Sequence, residues 1–337
     1  MRIFVDAMGG DNAPKEIIQG SVDAVNEYHA QLTLVGDESQ IKQMLSPMDY
    51  PKQLIDILPS YSVIDFNDEP VKAIREKTDS SIVVALDAAK QAGPDSVVVS
   101  AGSTGALLAG GLFKLGRIKG IKRPALGTPI PTKNHITLLL DSGANADCKA
   151  EYLQQFAILG TIYYQNIYQQ KHPKVALLNI GTETEKGSIL TKEAFQLLSQ
   201  TNTINFIGNI ESRDIMNGKA DIIVTDGFTG NIVLKQLEGL SNYLLDGLKQ
   251  AILSSVRGKI GGALIQKDLK SFKHEFSSDE VGGAPFLGIR GGLIKAHGSS
   301  KAYAIKNAIK QAIAYMDRDI VEKIDNTINS KTGSIEF

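Results

Sequence analysis

The 337-residue chain has no tryptophan, one cysteine and almost no net charge. The lone Cys148 excludes an internal disulfide and a cysteine-built metal site, and it suits a reducing compartment. A formal charge of −1 argues against a general nucleic-acid binder, so no nucleic-acid partner is expected. No apolar run approaches the roughly 20 residues of a membrane span. Met1–Asp6 enters a strand pattern with no leader-like segment. The expectation is a cytoplasmic protein, attached at most to a membrane surface. Histidines 29, 135, 172, 274 and 297 show neither HxxxH nor HExxH spacing, so no metal is expected. No GxSxG nucleophile elbow is present either.

Glycine is plentiful, with 32 residues, and four short apolar runs end in turns built from it. Val97–Val99 runs into Ser100–Gly105, Leu138–Leu140 into Asp141–Asn145, Ala176–Leu178 into Asn179–Thr182, and Ile222–Val224 into Thr225–Asn231. Buried strands that end in small-residue turns deliver backbone N–H groups to the C-terminal edge of a parallel sheet, where anions and ligands collect. Four such turns point to a shared, amide-rich pocket suited to phosphate.

Strand patterns are expected near 3–5, 31–35, 61–65, 97–100, 136–140, 175–179, 204–207 and 222–225, with helical stretches between most of them. That alternation predicts an α/β protein, a three-layer α/β/α arrangement around a mostly parallel sheet. Pro14 suits the first turn of a helix capped by Asp11 or Asn12. From 240 to 273 the chain is helical, amphipathic and basic, and Gly258 with Gly261 and Gly262 is expected to divide it into two helices. Two readings stay open: a surface for anionic lipid or an acidic partner, or a hairpin packed on its neighbours or a second subunit.

The turns supply the candidate site residues. Gly102, Ser103, Thr104 and Gly105 offer amides and hydroxyls at a helix start, although a tight turn without ligand fits equally. The glycines do not make a dinucleotide fingerprint. In Gly181–Ser188 the order is GxxxxKGS, the reverse of a nucleotide P-loop. Lys186 there is either a phosphate-binding point charge or a solvated lysine. Asn145, Asp226 and Asn231 place polar groups around sharp turns, and His297 lies among loop residues as the candidate proton-handling group. Lys72, Arg75 and Lys77 form a basic helix face, and Cys148, with no histidine nearby in sequence, reads as an inert thiol.

These blocks, in this order, resemble the bacterial phosphate acyltransferases, the PlsX family, from the start to about residue 315. The resemblance rests on Asp6–Pro14, Asp68–Arg75 with Ser80–Ser81, Ser100–Ala106, Gly143–Asn145, Leu177–Glu183 with Lys186–Gly187, Asn205–Glu211, Thr225–Asn231 and Ile294–Ser300. Ser103 stands where the family usually has asparagine, which shortens that side chain's reach. The resemblance implies transfer of a fatty acyl group from acyl carrier protein to inorganic phosphate, giving acyl phosphate for phospholipid synthesis. It further implies an isopropylmalate-dehydrogenase-like fold spanning 1–337 as one catalytic unit of two lobes, with the 240–273 hairpin as a helical projection. A homodimer without cofactor is implied, peripherally associated with the inner face of the cell membrane and feeding a glycerol-3-phosphate acyltransferase.

Within that resemblance, Gly102–Gly105 and Lys186 are expected to cradle phosphate. Asn145 and Asn231 would orient phosphate or the thioester oxygen, Asp226 would fix its loop or a neighbouring base, and His297 would handle a proton or orient a partner. Lys72, Arg75 and Lys77, or Arg257 and Lys259, would dock the acidic carrier protein, while Leu253, Val256, Ile260 and Leu264 would face the membrane. The thiol that leaves has a pKa of about 8.5 and departs without a strong acid. The enzyme's work is then to position a dianion and stabilise an oxyanion. The alternatives are a phosphotransacetylase-like enzyme acting on acyl-CoA and a related-fold NAD-dependent dehydrogenase. Against the latter stand the missing dinucleotide fingerprint and the missing acidic metal cluster.

Overall fold

Buried aliphatic strands alternate with helices in the computed structural model, which describes residues 2–269, 280 and 282–330. The first half runs β1 (Arg2–Asp6), α1 (Lys15–Tyr28), β2 (Leu32–Gly36), α2 (Glu38–Leu45), β3 (Ile55–Pro59), α3 (Pro70–Glu76), α4 (Ser81–Ala92), β4 (Ser96–Ser100) and α5 (Thr104–Gly110). Then come β5 (Ala125–Pro131), β6 (Ile136–Leu140), α6 (Ala150–Ile167), β7 (Lys174–Asn179), α7 (Ile189–Ser199), β8 (Asn205–Glu211) and β9 (Ile222–Val224). The chain continues through α8 (Gly227–Leu253), α9 (Val256–Leu264), β10 (Ala284–Leu287), β11 (Gly292–Lys295), α10 (Ala302–Asp317) and α11 (Ile320–Ser330).

All the strands join one 11-stranded sheet in the order β3-β2-β1-β4-β11-β10-β5-β6-β9-β7-β8. Every pairing is parallel except β11–β10, β10–β5 and β5–β6. Three reversals leave β6, β9, β7 and β8 running opposite to β1, β2, β3 and β4. Side-chain alternation then buries both faces. Ile3, Val5, Val97 and Val99 enter one core with residues of α1, α6 and α10, while Phe4 and Val98 enter another with residues of α3, α4 and α5. In the other half Leu138 and Leu140 face the first core, and Leu139 packs towards Val233, Leu234 and Leu237 of α8. The expected mostly parallel, doubly covered α/β sheet is what forms.

Several expectations are corrected. The strand placed at 61–65 lies instead at Ile55–Pro59, with only a bridge from Ser62 to Ser80 following it. β5 contains Pro129 and Pro131, which read as strand breakers, and β10 and β11 are short and glycine-flanked. Neither Asp11 nor Asn12 caps α1 by its side chain; Asn12 Nδ2 donates instead to the carbonyls of Ser299 and Ser300, at 2.9 and 3.3 Å. The helix that leads into the projection begins at Gly227, and the helices part at Ser254–Ser255, where Ser255 caps α9. The glycines lie inside α9. A Cβ on Gly258 would meet the Ile252 carbonyl oxygen at 2.2 Å, so glycine there lets α9 fold back against the end of α8. The portion of the expected hairpin at 270–273 lies outside the described residues.

Candidate active site

The ends of β1, β4 and β11 are neighbours in the sheet, and each ends on a polar residue: Asp6, Ser100 and Lys295. Ser100 Oγ donates to Asp6 Oδ2 at 2.7 Å, and the Gly102 amide donates back to Ser100 Oγ at 3.0 Å. Lys295 Nζ donates to the carbonyls of Ala101, at 3.3 Å, and Ala296. Burial pushes the Asp6 carboxyl up, against hydrogen bonds from Ser81, Ser100, Met8 and Gly9 that hold it down. Burial, with Lys235 adding repulsion, lowers the Lys295 ammonium to about 8. Gly9 closes over this group: a Cβ there would lie 2.3 Å from Asp6 Oδ2 and 2.9 Å from the Gly102 nitrogen.

This bracing sorts the expected phosphate cradle. The Gly102 amide is turned inward to Ser100. Ser103 caps α5 through the Ala106 amide, so the amides of Thr104 and Gly105 have no partner inside the helix. Those two amides are therefore available to a ligand.

A second group forms where β6 and β9 end. Asp141 is fully buried, and its carboxylate accepts from the amides of Leu126, Gly143, Ala144 and Asn145 and from Asn145 Nδ2, at 2.7–3.1 Å. Asn145 Nδ2 also donates to the Pro124 carbonyl at 2.8 Å. Both its hydrogens are spent, so Asn145 braces the turn and has no amide proton left for phosphate or a thioester oxygen. Its carbonyl accepts from the Gly227 amide at 2.8 Å, which fastens this turn to the start of α8. There Asp226 caps the helix, accepting from the Thr229 amide and hydroxyl, both at 2.8 Å. Asp226 thus braces the first turn of α8. Asn231, one turn on, faces Gly143 and is exposed.

Helix α8 carries the second group to the first. Asn231, Lys235 and Glu238 share one helix face, and eight residues of helix span about 12 Å. At the far end Lys235 Nζ lies 3.2 Å from His297 Nε2 and 2.7 Å from Glu238 Oε2. His297 Nδ1 meets Ser299 Oγ at 2.9 Å, and burial, more than any neighbouring charge, holds its imidazole below the usual histidine range. Ala144 packs against the core of the first half.

Lys186 is elsewhere. It is exposed beyond β7, one strand from β9 and six from β4, about 29 Å along a flat sheet. It sits in the loop that follows β7, the strand beside β9. Of the basic residues, Lys77 is committed to Asp68 at 2.6 Å and to the Val63 carbonyl, and Arg75 stacks on exposed Phe113 at 5.0 Å. Lys72, Arg257 and Lys259 are exposed, as are Leu253, Val256, Ile260 and Leu264. Cys148 is partly buried, donates to the Asn145 carbonyl at 3.5 Å and has its thiol pushed up to about 12, chiefly by burial. Among the described residues no cluster of three potential metal ligands occurs, and no helix is long and apolar enough to cross a membrane.

Asp6, Ser100, Asp141, Lys235, Glu238 and Lys295 were not singled out from sequence. Three of them carried one signal: a charged residue closing a buried apolar run, as in Ile3–Asp6, Leu138–Asp141 and Leu293–Lys295.

The chain is similar to known proteins over its whole length. The family model described as a fatty acid synthesis protein matches residues 1–323. A phosphate acyltransferase from Alkaliphilus oremlandii is 48% identical over 337 residues, covering 100% of both chains. One from Clostridioides difficile is 46% identical over 330 residues, covering 98% of this chain and 96% of its own. Among solved structures, the EutD phosphotransacetylase from Staphylococcus aureus superposes with a TM-score of 0.58 at 14% identity, covering 93% of this chain and 94% of its own. A putative 4-hydroxythreonine-4-phosphate dehydrogenase from Salmonella typhimurium gives 0.51 at 12% identity, covering 93% and 98%. These two are likenesses of fold alone.

Proposed function

Because this chain belongs to the fatty acid synthesis protein family and is an acyltransferase acting on phosphate, we propose that its donor is a long-chain acyl thioester of acyl carrier protein. The acyl phosphate formed would feed phospholipid synthesis through a glycerol-3-phosphate acyltransferase. The observation that carries this reading is the meeting of two turn systems through α8, which puts Lys235 of the β9 side against His297 of the β11 side.

A phosphate dianion fits between the Thr104 and Gly105 amides and the Lys235 ammonium. Asn231, whose amide is free of the bracing that binds Asn145, presents a donor to the thioester oxygen as negative charge develops there. The phosphate oxygen attacks the carbonyl carbon, the tetrahedral oxyanion collapses, and the C–S bond breaks with the electron pair leaving on sulfur. His297, whose imidazole is held below the usual histidine range chiefly by burial, can take a proton from phosphate that arrives as the monoanion. No covalent enzyme intermediate is needed. Lys186, in the loop after the strand that pairs with β9, is assigned to guiding phosphate from that side. Lys186→Ala is expected to raise the phosphate KM, and an unchanged phosphate dependence refutes the assignment.

Lys72 and Arg75, on α3 above the 100–105 turn, suit the acidic carrier, whereas Lys77 is occupied with Asp68. Peripheral binding to anionic membrane and assembly as a homodimer are assigned to the exposed apolar residues of α8 and α9. The deciding experiment is mass-spectrometric detection of acyl phosphate from purified enzyme, phosphate and either acyl carrier protein or CoA thioesters. Product from the carrier thioester at the higher kcat/KM supports the proposal. Preference for CoA thioesters moves the enzyme to the second reading, a phosphotransacetylase-like enzyme acting on acyl-CoA.

A further inference from the structure

Two charged side chains are buried on either side of the 100–105 turn, and neither serves the sheet. Asp6, at the end of β1, is 1% exposed, and Lys295, at the end of β11, is 8% exposed. Among the described residues no ion pair joins them, because the end of β4 lies between. Burying a charge without a direct counter-charge costs several kcal/mol. An apolar pair would fill the same space without that cost, so the charges have another use.

What they hold is one turn, gripped from two sides. Asp6 fixes the Ser100 hydroxyl, and that hydroxyl receives the Gly102 amide. Lys295 fixes the Ala101 carbonyl, and through the Ala296 carbonyl it also ties the start of the 296–300 segment that carries His297. With the Ala101 carbonyl drawn down towards β11 and the Gly102 amide drawn back to Ser100, the peptide planes at 101 and 102 are set before any ligand arrives. The next amides, at 104 and 105, are then presented without rearrangement.

We propose that Lys295 and Asp6 are positioning residues for the phosphate nucleophile: a two-charge clamp that fixes the 100–105 turn and the His297 segment and places a positive charge beneath the anion. The clamp rests on the reading that phosphate binds at this turn. Lys295 acts through the turn and through its field, with two of its three ammonium hydrogens going to the Ala101 and Ala296 carbonyls. The charged and titratable groups around it are Asp6 from β1, Asp11 from the β1–α1 loop, Lys235 with Glu238 from α8, and His297 on its own segment. Asp6 and Asp11 favour the ammonium, while burial and Lys235 disfavour it. Its charge is therefore lost as pH rises through about 8, well below the ordinary lysine range. A depressed lysine is costly to folding while it is charged, so Lys295 makes the protein less stable below pH 8 than above 10. Only a role in binding repays that.

The test uses the full-length enzyme with inorganic phosphate. Lys295→Met is expected to raise the phosphate KM by about tenfold, with the acyl-donor KM unchanged. Wild type should lose phosphate affinity above about pH 8, Lys295→Met should lack that limb, and Lys295→Arg should keep near-normal affinity with the limb moved to higher pH. A residue with a purely structural role would not move the limb. Asp6→Asn, which keeps an acceptor for Ser100 but removes the charge, is expected to fall between. If Lys295→Met does not fold, the limb in Lys295→Arg decides alone. An unchanged phosphate KM in Lys295→Met, or the same limb in wild type and Lys295→Arg, overturns the clamp. Phosphate-induced thermal stabilisation separates the two readings. Stabilisation of wild type but not of Lys295→Met, without acyl phosphate from any thioester, keeps the clamp and sinks the transfer reaction. Acyl phosphate formed at wild-type phosphate KM does the reverse.

Discussion

The turn cluster at the strand ends and the helical projection invert the usual partition in opposite senses. At the ends of β1, β4, β6 and β11 the charged groups Asp6, Asp141 and Lys295 are buried and held by backbone partners. Along the second half of α8 and α9 the hydrocarbon is outside: Tyr243 is 76% exposed, Val256 74% and Leu264 81%. Each arrangement is unfavourable for an isolated fold, because buried charge must be desolvated and exposed apolar surface hydrated. The reaction proposed for it has the same two faces, a charged nucleophile and a hydrocarbon chain. The turn cluster is rigid where geometry decides catalysis, whereas the projection offers area with little internal packing. Mutations should therefore separate them, with stability lost at one and association lost at the other.

The largest effect is expected at Asp141. Asp141→Ala strands four amides and the Asn145 side chain that its carboxylate now satisfies. Removing one partner from a buried, hydrogen-bonded charge network costs on the order of 3–5 kcal/mol. In a chain of this size that is a fall in Tm of about 10 °C. Thermal unfolding by circular dichroism would show it, and a Tm near wild type would mean that the turn repacks without the carboxylate.

Asp141 also marks the limit of what the sequence disclosed. The alternation of apolar runs and small-residue turns made the doubly covered sheet legible, because periodicity is a local property. The turns themselves were legible as ligand-binding places. Which of their groups face outward was not. The Asn145 amide and the Gly102 amide are spent on Asp141 and Ser100, partners chosen by tertiary packing. Lys235 and His297 are 62 residues apart and meet only because α8 crosses from one strand system to the other. Lys186 looked like a companion of the 100–105 turn until the sheet order put five strands between β4 and β7.

The projection should give the opposite result to Asp141. Leu253→Glu/Ile260→Glu changes two exposed side chains, 49% and 60% accessible, so Tm should move by no more than about 1 °C. Flotation with anionic vesicles should nevertheless fall to background. Equal flotation of variant and wild type, with the fold retained, would remove the membrane role from these helices.

A smaller contrast lies within α3. Lys72→Glu/Arg75→Glu is expected to raise the KM for acyl carrier protein several-fold, with that for phosphate unchanged. Lys77→Ala loses a partly exposed, solvent-screened ion pair with Asp68 and should lower Tm slightly without touching the carrier KM. A carrier KM that follows Lys77 and ignores Arg75 would place docking elsewhere.

The smallest effect is expected at Cys148, between the two regions. Its thiol sits against the Asn145 carbonyl, and burial, then the charge of Asp141, push it up to about 12. At pH 8 the folded protein should therefore react with iodoacetamide on the order of a thousandfold more slowly than the unfolded chain, whose thiol titrates near 8.5. The sign of the linkage follows. Between about 8.5 and 12 the folded thiol keeps a proton that the unfolded one has lost, so its contribution to stability is complete below 8.5 and fades as pH rises. Cys148→Ser should leave kcat and the phosphate KM within about twofold and flatten that alkaline fade. Rapid labelling of the native protein at pH 8, with matching loss of acyl transfer, would show instead that the 141–148 segment opens to solvent. The rigidity assigned to the turn cluster would then fail at its edge.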